Sequence, residues 1–328
     1  MRLAHLAVVT PHLAGLYETT RDLVMAERAL GIDACIMDPK RSTDDRGVPT
    51  GCDIGFVESA DVLVSHSGLG SFSGVQKPIV HVLHGRPESS FLLERLGRIN
   101  VYSFLANAAR DPRYKRFVTF WEEFVPYWSV ILPEDRLRVV PPPVNLEEWS
   151  LGNGQAPYDF GGKAGKVNVV CADVWREDLT PYRTINAFYQ FGKATPGAKF
   201  HLYGKDGNAR GRGVLLLALA KQGMLGEVKG WVKNLVEVYR AADLMITPHW
   251  IATRSVREAL ACGCPVVADV NNRFAVATAD ATNPIAFAEA MSRGLESDRA
   301  TNRRIAERAF NPKVAAEAMQ KVCEEAMG

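Results

Sequence analysis

At 328 residues the chain exceeds what one hydrophobic core usually serves, so two domains are the starting expectation. Hydrophobic residues make up 47% and charged residues 23%, which excludes a disordered or fibrous chain and suits a globular protein with a sizeable core. A formal net charge of +2 is too mild to indicate nucleic-acid binding, which needs a concentrated basic face.

The first apolar run, LAHLAVVT (3–10), stops at Thr10-Pro11. It is too short for a signal peptide and reads as a β-strand. No stretch reaches the ~20 apolar residues of a membrane span. GLYETTRDLVMAERALG (15–31) has helical spacing and ends on glycine, and ACIMD (34–38), DVLVSHS (61–67) and PIVHVLHG (78–85) follow as strands. Near-continuous apolar strands separated by helices predict a parallel sheet covered on both faces. VYSFLAN (101–107) and RLRVVPPPV (136–144) are read as its continuation. The glycine-rich, aperiodic stretch at 145–166 predicts a linker. Alternation then restarts: strands VNVVCAD (167–173), KFHLYG (199–204), LMITP (244–248) and PVVADV (265–270), with helices after 181, across 212–222 and from about 254 to 262. The six cysteines are scattered, and Cys262-x-Cys264 lacks the second pair that a zinc site needs, so all six read as thiols of a cytoplasmic protein. Two such sheets facing across a cleft would place a ligand at the carboxyl ends of their strands.

The chemistry concentrates in residues 230–270. There a helix carrying Leu235, Val238 and Tyr239 precedes a strand ending at Pro248, a loop, and a second helix bearing Glu258 and closing at Gly263. A carboxylate so placed can accept both hydroxyls of a ribose. The helix start at Arg254 and Ser255 offers backbone N–H groups and a positive dipole end to phosphate.

This segment resembles the nucleotide-sugar signature of the retaining family-4 GT-B enzymes, the group 1 glycosyl transferases. The pattern runs G-x-v-x-x-l-x-x-x-y-x-x-A-D-l-x-x-x-P-S, then E-G-F-G-x-x-x-x-E-A-x-A-x-G-x-P-V-V-A. It is matched by Gly230, Leu235, Tyr239, Ala242, Asp243, Pro248, Glu258, Ala259, Ala261, Gly263, Pro265, Val266, Val267 and Ala268. RVVPPPVNLEEW (138–149), KFHLYGKDGN (199–208), PHLAGLYETTRDL and KPIVHVLHG resemble further elements of the family, the last two more loosely.

The resemblance implies an α/β, GT-B fold of two Rossmann-like domains. Residues 1–150 would form the acceptor-side domain, 151–309 the nucleotide-sugar domain, and 310–328 a helix crossing back to the first. It implies a glycosyltransferase moving a sugar from a nucleoside diphosphate sugar to an acceptor hydroxyl, retaining and metal-independent, with no cofactor and a UDP-sugar favoured over a GDP-sugar. Glu258 would hold the ribose, with Arg254, Ser255, Gly204, Lys205, Arg176 and Trp250 around the donor. His84, at a strand end, would meet the donor sugar, the alternative being a structural histidine. Gly15 would approach the diphosphate or sugar, or else form a tight turn. His66 and His81 read as structural.

Departures from the pattern bear on the sugar end. Trp250 stands where the first family glutamate belongs, and Asp173 stands where the arginine of a basic pair belongs, with no lysine following. Arg86, Arg113, Lys115 and Arg116, the last three with Tyr114 and Phe117 in a basic run over 110–117, point to an acceptor side. That run is either a solvated helix face or a contact for DNA carrying a hydroxymethylated base or for a membrane surface; a glycan, lipid-linked or small-molecule acceptor is equally open. Two other classes stay in play: a non-catalytic nucleotide-sugar-binding protein and a sugar-nucleotide epimerase. A dehydrogenase is disfavoured because no G-x-G-x-x-G follows the first strand.

Overall fold

The computed structural model describes residues 1–7, 14–37, 54–66, 74–95, 97, 100–152, 158–173, 181–204, 212–230, 232 and 234–328. The chain divides into two compact units, Met1–Pro143 with Phe310–Gly328, and Val144–Ala309.

The first unit is built on β1 (Arg2–Leu6), α1 (Ala14–Ala29), β2 (Asp33–Met37), α2 (Ile54–Ser59), β3 (Val62–Ser65), β4 (Ile79–Leu83), α3 (Pro87–Arg95), α4 (Val101–Arg110), β5 (Tyr114–Thr119), the single turn α5 (Val125–Trp128) and β6 (Leu137–Val139). Its six strands lie in the order β2-β1-β3-β4-β5-β6, all parallel, with Leu6 opposite Ser65 and His81 opposite Phe117. The central strands β3 and β4 are buried throughout, so both faces must be covered and neither strand alternates apolar with polar residues. The last helix of the chain, α12 (Pro312–Met327), packs on α1 and on β3, β4 and β5.

The second unit holds β7 (Val167–Cys171), α6 (Pro181–Ala194), β8 (Ala198–Leu202), α7 (Arg212–Lys221), β9 (Leu225–Val228), α8 (Leu235–Ala241), β10 (Leu244–Ile246), α9 (Arg254–Ala261), β11 (Val266–Asp269), β12 (Ala277–Ala279), α10 (Pro284–Gly294) and α11 (Arg299–Ala309). Its sheet runs β12-β11-β10-β7-β8-β9, again all parallel. Phe188, Phe191, Phe200, Ile246, Val267 and Met291 belong to its core. Residues 144–150 pack with this unit. Arg303 donates to the carbonyls of Leu146, Trp149 and Ala261, and Arg240 to Ser150.

Three readings of the sequence are corrected. VYSFLAN is the helix α4, not a strand: Leu105 and Ala108 face the core one turn apart, and a short apolar run does not by itself separate strand from helix. The strand in that place is β5, which begins inside the basic run, so that run is no helix face; Tyr114 and Phe117 supply its buried side while Lys115 is exposed. Cys35 is disulfide-bonded rather than a thiol, whereas Cys171, Cys262, Cys264 and Cys323 are free and buried; Cys52 lies outside the described residues. Among the described residues no helix is long and apolar enough to cross a membrane.

A buried histidine gives the fold a pH dependence. His201 Nδ1 accepts the Glu227 N–H at 3.0 Å and Nε2 donates to Asn168 Oδ1 at 3.1 Å, so the ring is held as one neutral tautomer. Burial lowers its pKa to about 4, and His81 in the first unit is lowered to about 4 for the same reason. A folded value below the unfolded one means that the unfolded chain binds the proton more readily. The stability contributed by each ring is therefore complete above about pH 6.5 and declines by about 1.4 kcal/mol per pH unit towards pH 4. Urea midpoints are expected to fall from pH 7 to pH 5; equal midpoints would contradict the neutral assignments.

Candidate functional site

In the second unit the strand order reverses between β7 and β10, the place where open parallel sheets hold ligands at their strand ends. Asp173 follows β7, Thr247 and His249 follow β10, and the buried helix α9 begins just beyond. Thr253, extended at φ −56° and ψ 173°, precedes the helix. Ser255 Oγ donates to Asp173 Oδ1 at 2.9 Å, so the 2.9 Å contact between Thr253 Oγ1 and Ser255 Oγ has threonine as donor. His249 Nε2 stands 3.6 Å from the same Asp173 oxygen. The Asn272 amide donates to the carbonyls of His249 (3.1 Å) and Ile251 (2.9 Å), fixing the loop that carries the half-buried Trp250.

Glu258 lies one turn along α9 from Arg254, whose Nε donates to Glu258 Oε1 at 2.5 Å; both side chains are largely buried. The Tyr239 hydroxyl, fully buried in α8, has no hydrogen-bond partner among the described residues. Burial, then the Glu258 and Asp173 carboxylates, push this phenol well above its ordinary pKa, keeping it protonated as a donor. Behind the site, Arg299 donates to the carbonyls of Tyr239, Ala242 and Cys262, and Asn302 to that of Gly263. Cations and amides at the carboxyl ends of α8 and α9 satisfy groups that the helices leave open, so α11 holds both helices in place.

Gly204 follows β8 at φ +114°, where a Cβ would meet the Asp173 carbonyl oxygen at 2.7 Å. Glycine is required there for two strand-end loops to approach. Gly204→Ala is expected to cost about 1–3 kcal/mol and to lower the melting temperature accordingly; an unchanged melting temperature would contradict this geometry. Lys205 and Arg176 lie outside the described residues.

In the first unit His84 closes β4, half-buried, with its Nε2 2.6 Å from His66 Nδ1 and its ring against Phe120. Arg86 stands on the same sheet edge and donates to Ser89 Oγ. Gly15 is exposed in the first turn of α1, its carbonyl accepting from Thr19. Arg113, Lys115 and Arg116 sit at the start of β5, the opposite edge from His84 because β4 and β5 are parallel. Arg113 is held by Asp111, and Arg116 shares Glu325 with Arg138.

The structure thus brings Glu258, Arg254 and Ser255 together, with Trp250 on the neighbouring loop. It leaves Arg113, Lys115 and Arg116 away from the His84 edge. Sequence reasoning passed over His249, Asn272 and the hydrogen bond of Asp173 to α9. No local pattern marks the first two, and Asp173 was visible only as a departure. Among the described residues no group of three or more His, Cys, Asp or Glu side chains is arranged to hold a metal ion.

Residues 181–297 match the family model described as Glycosyl transferases group 1. No curated protein matches the chain by sequence. Among solved structures the chain resembles HepE of Anabaena, solved with UDP and glucose, at 12% identity, 98% of either chain covered and a TM-score of 0.73. It also resembles a glycosyltransferase from Rickettsia africae (12% identity, 99% of this chain and 98% of that one, TM-score 0.71). A third is sucrose-phosphate synthase from Thermosynechococcus elongatus (15%, 98% of each, TM-score 0.65). The second unit therefore contains a segment, residues 181–297, that matches a glycosyl transferases group 1 domain, and the chain has the GT-B fold of two Rossmann-like domains.

Proposed function

We propose that the chain transfers a sugar from a UDP-sugar to an acceptor hydroxyl, with retention of anomeric configuration and without a metal ion. The observation that carries this reading is the α9 constellation: a buried helix at the strand-order reversal, with Ser255 and Thr253 at its start and the Glu258 carboxylate one turn on. In this reading Glu258 accepts the ribose hydroxyls. The first turn of α9, with Ser255 and the Arg254 charge, meets the diphosphate as it departs. UDP is preferred because HepE, of the same fold, was solved with UDP. Arg113 and Arg116 are already matched by carboxylates, which argues for an uncharged acceptor hydroxyl over a polyanion.

A thermal-shift panel of UDP, GDP, ADP and their glucose conjugates tests the donor. UDP at a hundred times its dissociation constant should add about 2.7 kcal/mol of stability. A panel without any shift would sink the reading. With turnover in hand, EDTA should leave the rate within about twofold, since the charge that develops on the diphosphate is met by α9 and its neighbours. Loss of activity restored by magnesium would refute the metal-independent part.

A further inference from the structure

The helix α7 is apolar on both of its sides. From Gly213 to Ala220 it holds no polar side chain. Leu219 lies in the core of the second unit, with Leu215 and Leu216 packed against it. Val214, Leu217, Ala218 and Lys221, at the i, i+3, i+4 and i+7 spacing, share the opposite face. That face is open: Val214 is 72% and Leu217 56% exposed, and Ala218 is exposed beside them. Single exposed apolar residues are ordinary. A helix that is apolar all round is normally buried, and here one side of it faces solvent.

Lys221 begins a basic rim at the carboxyl end of this face. The strands β7, β8 and β9 are parallel, so their amino ends lie on one edge of the sheet. Lys199 of β8 donates to the carbonyl of Gly223, just past α7, at 2.5 Å. Lys166, just before β7, donates its backbone N–H to the Gly197 carbonyl at 2.9 Å. Lys193 stands in the last turn of α6, which leads into β8. The charges of Lys199 and Lys163 both bear on His201. None of these five lysines forms an ion pair among the described residues. Asp243, on the same edge before β10, accepts from the Asn168 N–H instead. The rim therefore keeps its charge.

We propose that the outer face of α7 and this lysine rim dock the second unit on an anionic phospholipid bilayer. A helix lying in a membrane interface buries apolar side chains at the acyl boundary while lysines reach the headgroups. Val214 and Leu217 supply the first contact, and Lys221 with its neighbours the second. Charge complementarity selects this occupant. A second copy of the chain would also cover the apolar face, but a two-fold interface sets a patch against itself. It would bring the same unpaired lysines together, where like charges repel. Lys166 precedes β7 and Asp173 follows it, so the strand ends near Asp173 and Ser255 stay clear of the docked edge.

Flotation of the full chain with vesicles tests this. Vesicles of phosphatidylglycerol and phosphatidylcholine in equal parts should bind it at least about tenfold more tightly than phosphatidylcholine alone, since each lysine at an anionic surface contributes about fivefold. Raising salt from about 0.1 M to about 1 M, which shortens the Debye length from about 10 Å to about 3 Å, should weaken that binding. Leu217→Glu should weaken it about tenfold or more, at an unchanged melting temperature because the leucine is exposed. Val214→Glu, at a more exposed position, should do the same and serves if the first variant does not fold. Lys193→Glu combined with Lys221→Glu should weaken binding without touching the apolar face. No binding, or equal binding to both kinds of vesicle, would overturn the proposal. So would folded Leu217→Glu or Val214→Glu protein that binds as wild type does, the result expected of lysines that merely attract polyanions. A dimer in sedimentation equilibrium that Leu217→Glu dissolves would give the face to a second copy and overturn it as well.

Discussion

Replacing Glu258 with alanine is expected to weaken UDP binding about a hundredfold. A hydrogen bond to a charged group contributes about 1.5–3 kcal/mol, so two ribose hydroxyls on one carboxylate account for at least about 3 kcal/mol. The carboxylate cannot drift to compensate. It sits on a helix buried from Ser255 to Ala261, its Oε1 is held by Arg254 Nε, and α11 clamps the end of that helix through Arg303 and Asn302. Alanine also takes from Arg254 the carboxylate it pairs with, and breaking a buried ion pair costs about 3–5 kcal/mol in stability. Glu258→Gln, which keeps the volume, is the cleaner companion. Titration calorimetry with UDP and 2′-deoxy-UDP separates the ribose role from a structural one. Wild type should prefer UDP, and the alanine variant should bind both alike. A folded alanine variant that kept the preference would remove Glu258 from the ribose.

The contrast between legible and hidden parts of this molecule follows from sequence distance. The segment from α8 to β11 is contiguous, and the features that matter there are local: a helix spacing, Gly263 at the positive φ of 74° that ends α9, and a buried valine strand. Its fold and its carboxylate could be read directly. The second sheet was legible as alternation, yet the short β9 and β12 were not, being too brief to carry a period. The row of histidine contacts was out of reach because His5, His66 and His84 meet only once β1, β3 and β4 are neighbours. Strand order is a property of packing that no local pattern states. His66, read as structural, touches both of the other rings. The basic run misled for the opposite reason: its charges cluster in sequence, while the fold pairs Arg116 with Glu325 from the far end of the chain.

In the reading that His84 meets the donor sugar, His84→Ala is expected to leave UDP affinity within about twofold of wild type while kcat falls about a hundredfold, the range that a misplaced reacting group costs. The nucleotide ligands proposed here are all residues of the second unit, and His84 is not among them. What the substitution removes is the ring that packs edge-on against Phe120 and lies 2.6 Å from His66 Nδ1. His66 then loses the contact to its Nδ1, and the pull of the His84 ring on its pKa disappears with it. A histidine that merely filled space would give the reverse split: lost stability with kcat per folded molecule unchanged. Chemical denaturation beside UDP-release kinetics distinguishes the two, because only loss of a substrate contact lowers turnover in protein that is folded and saturated with donor.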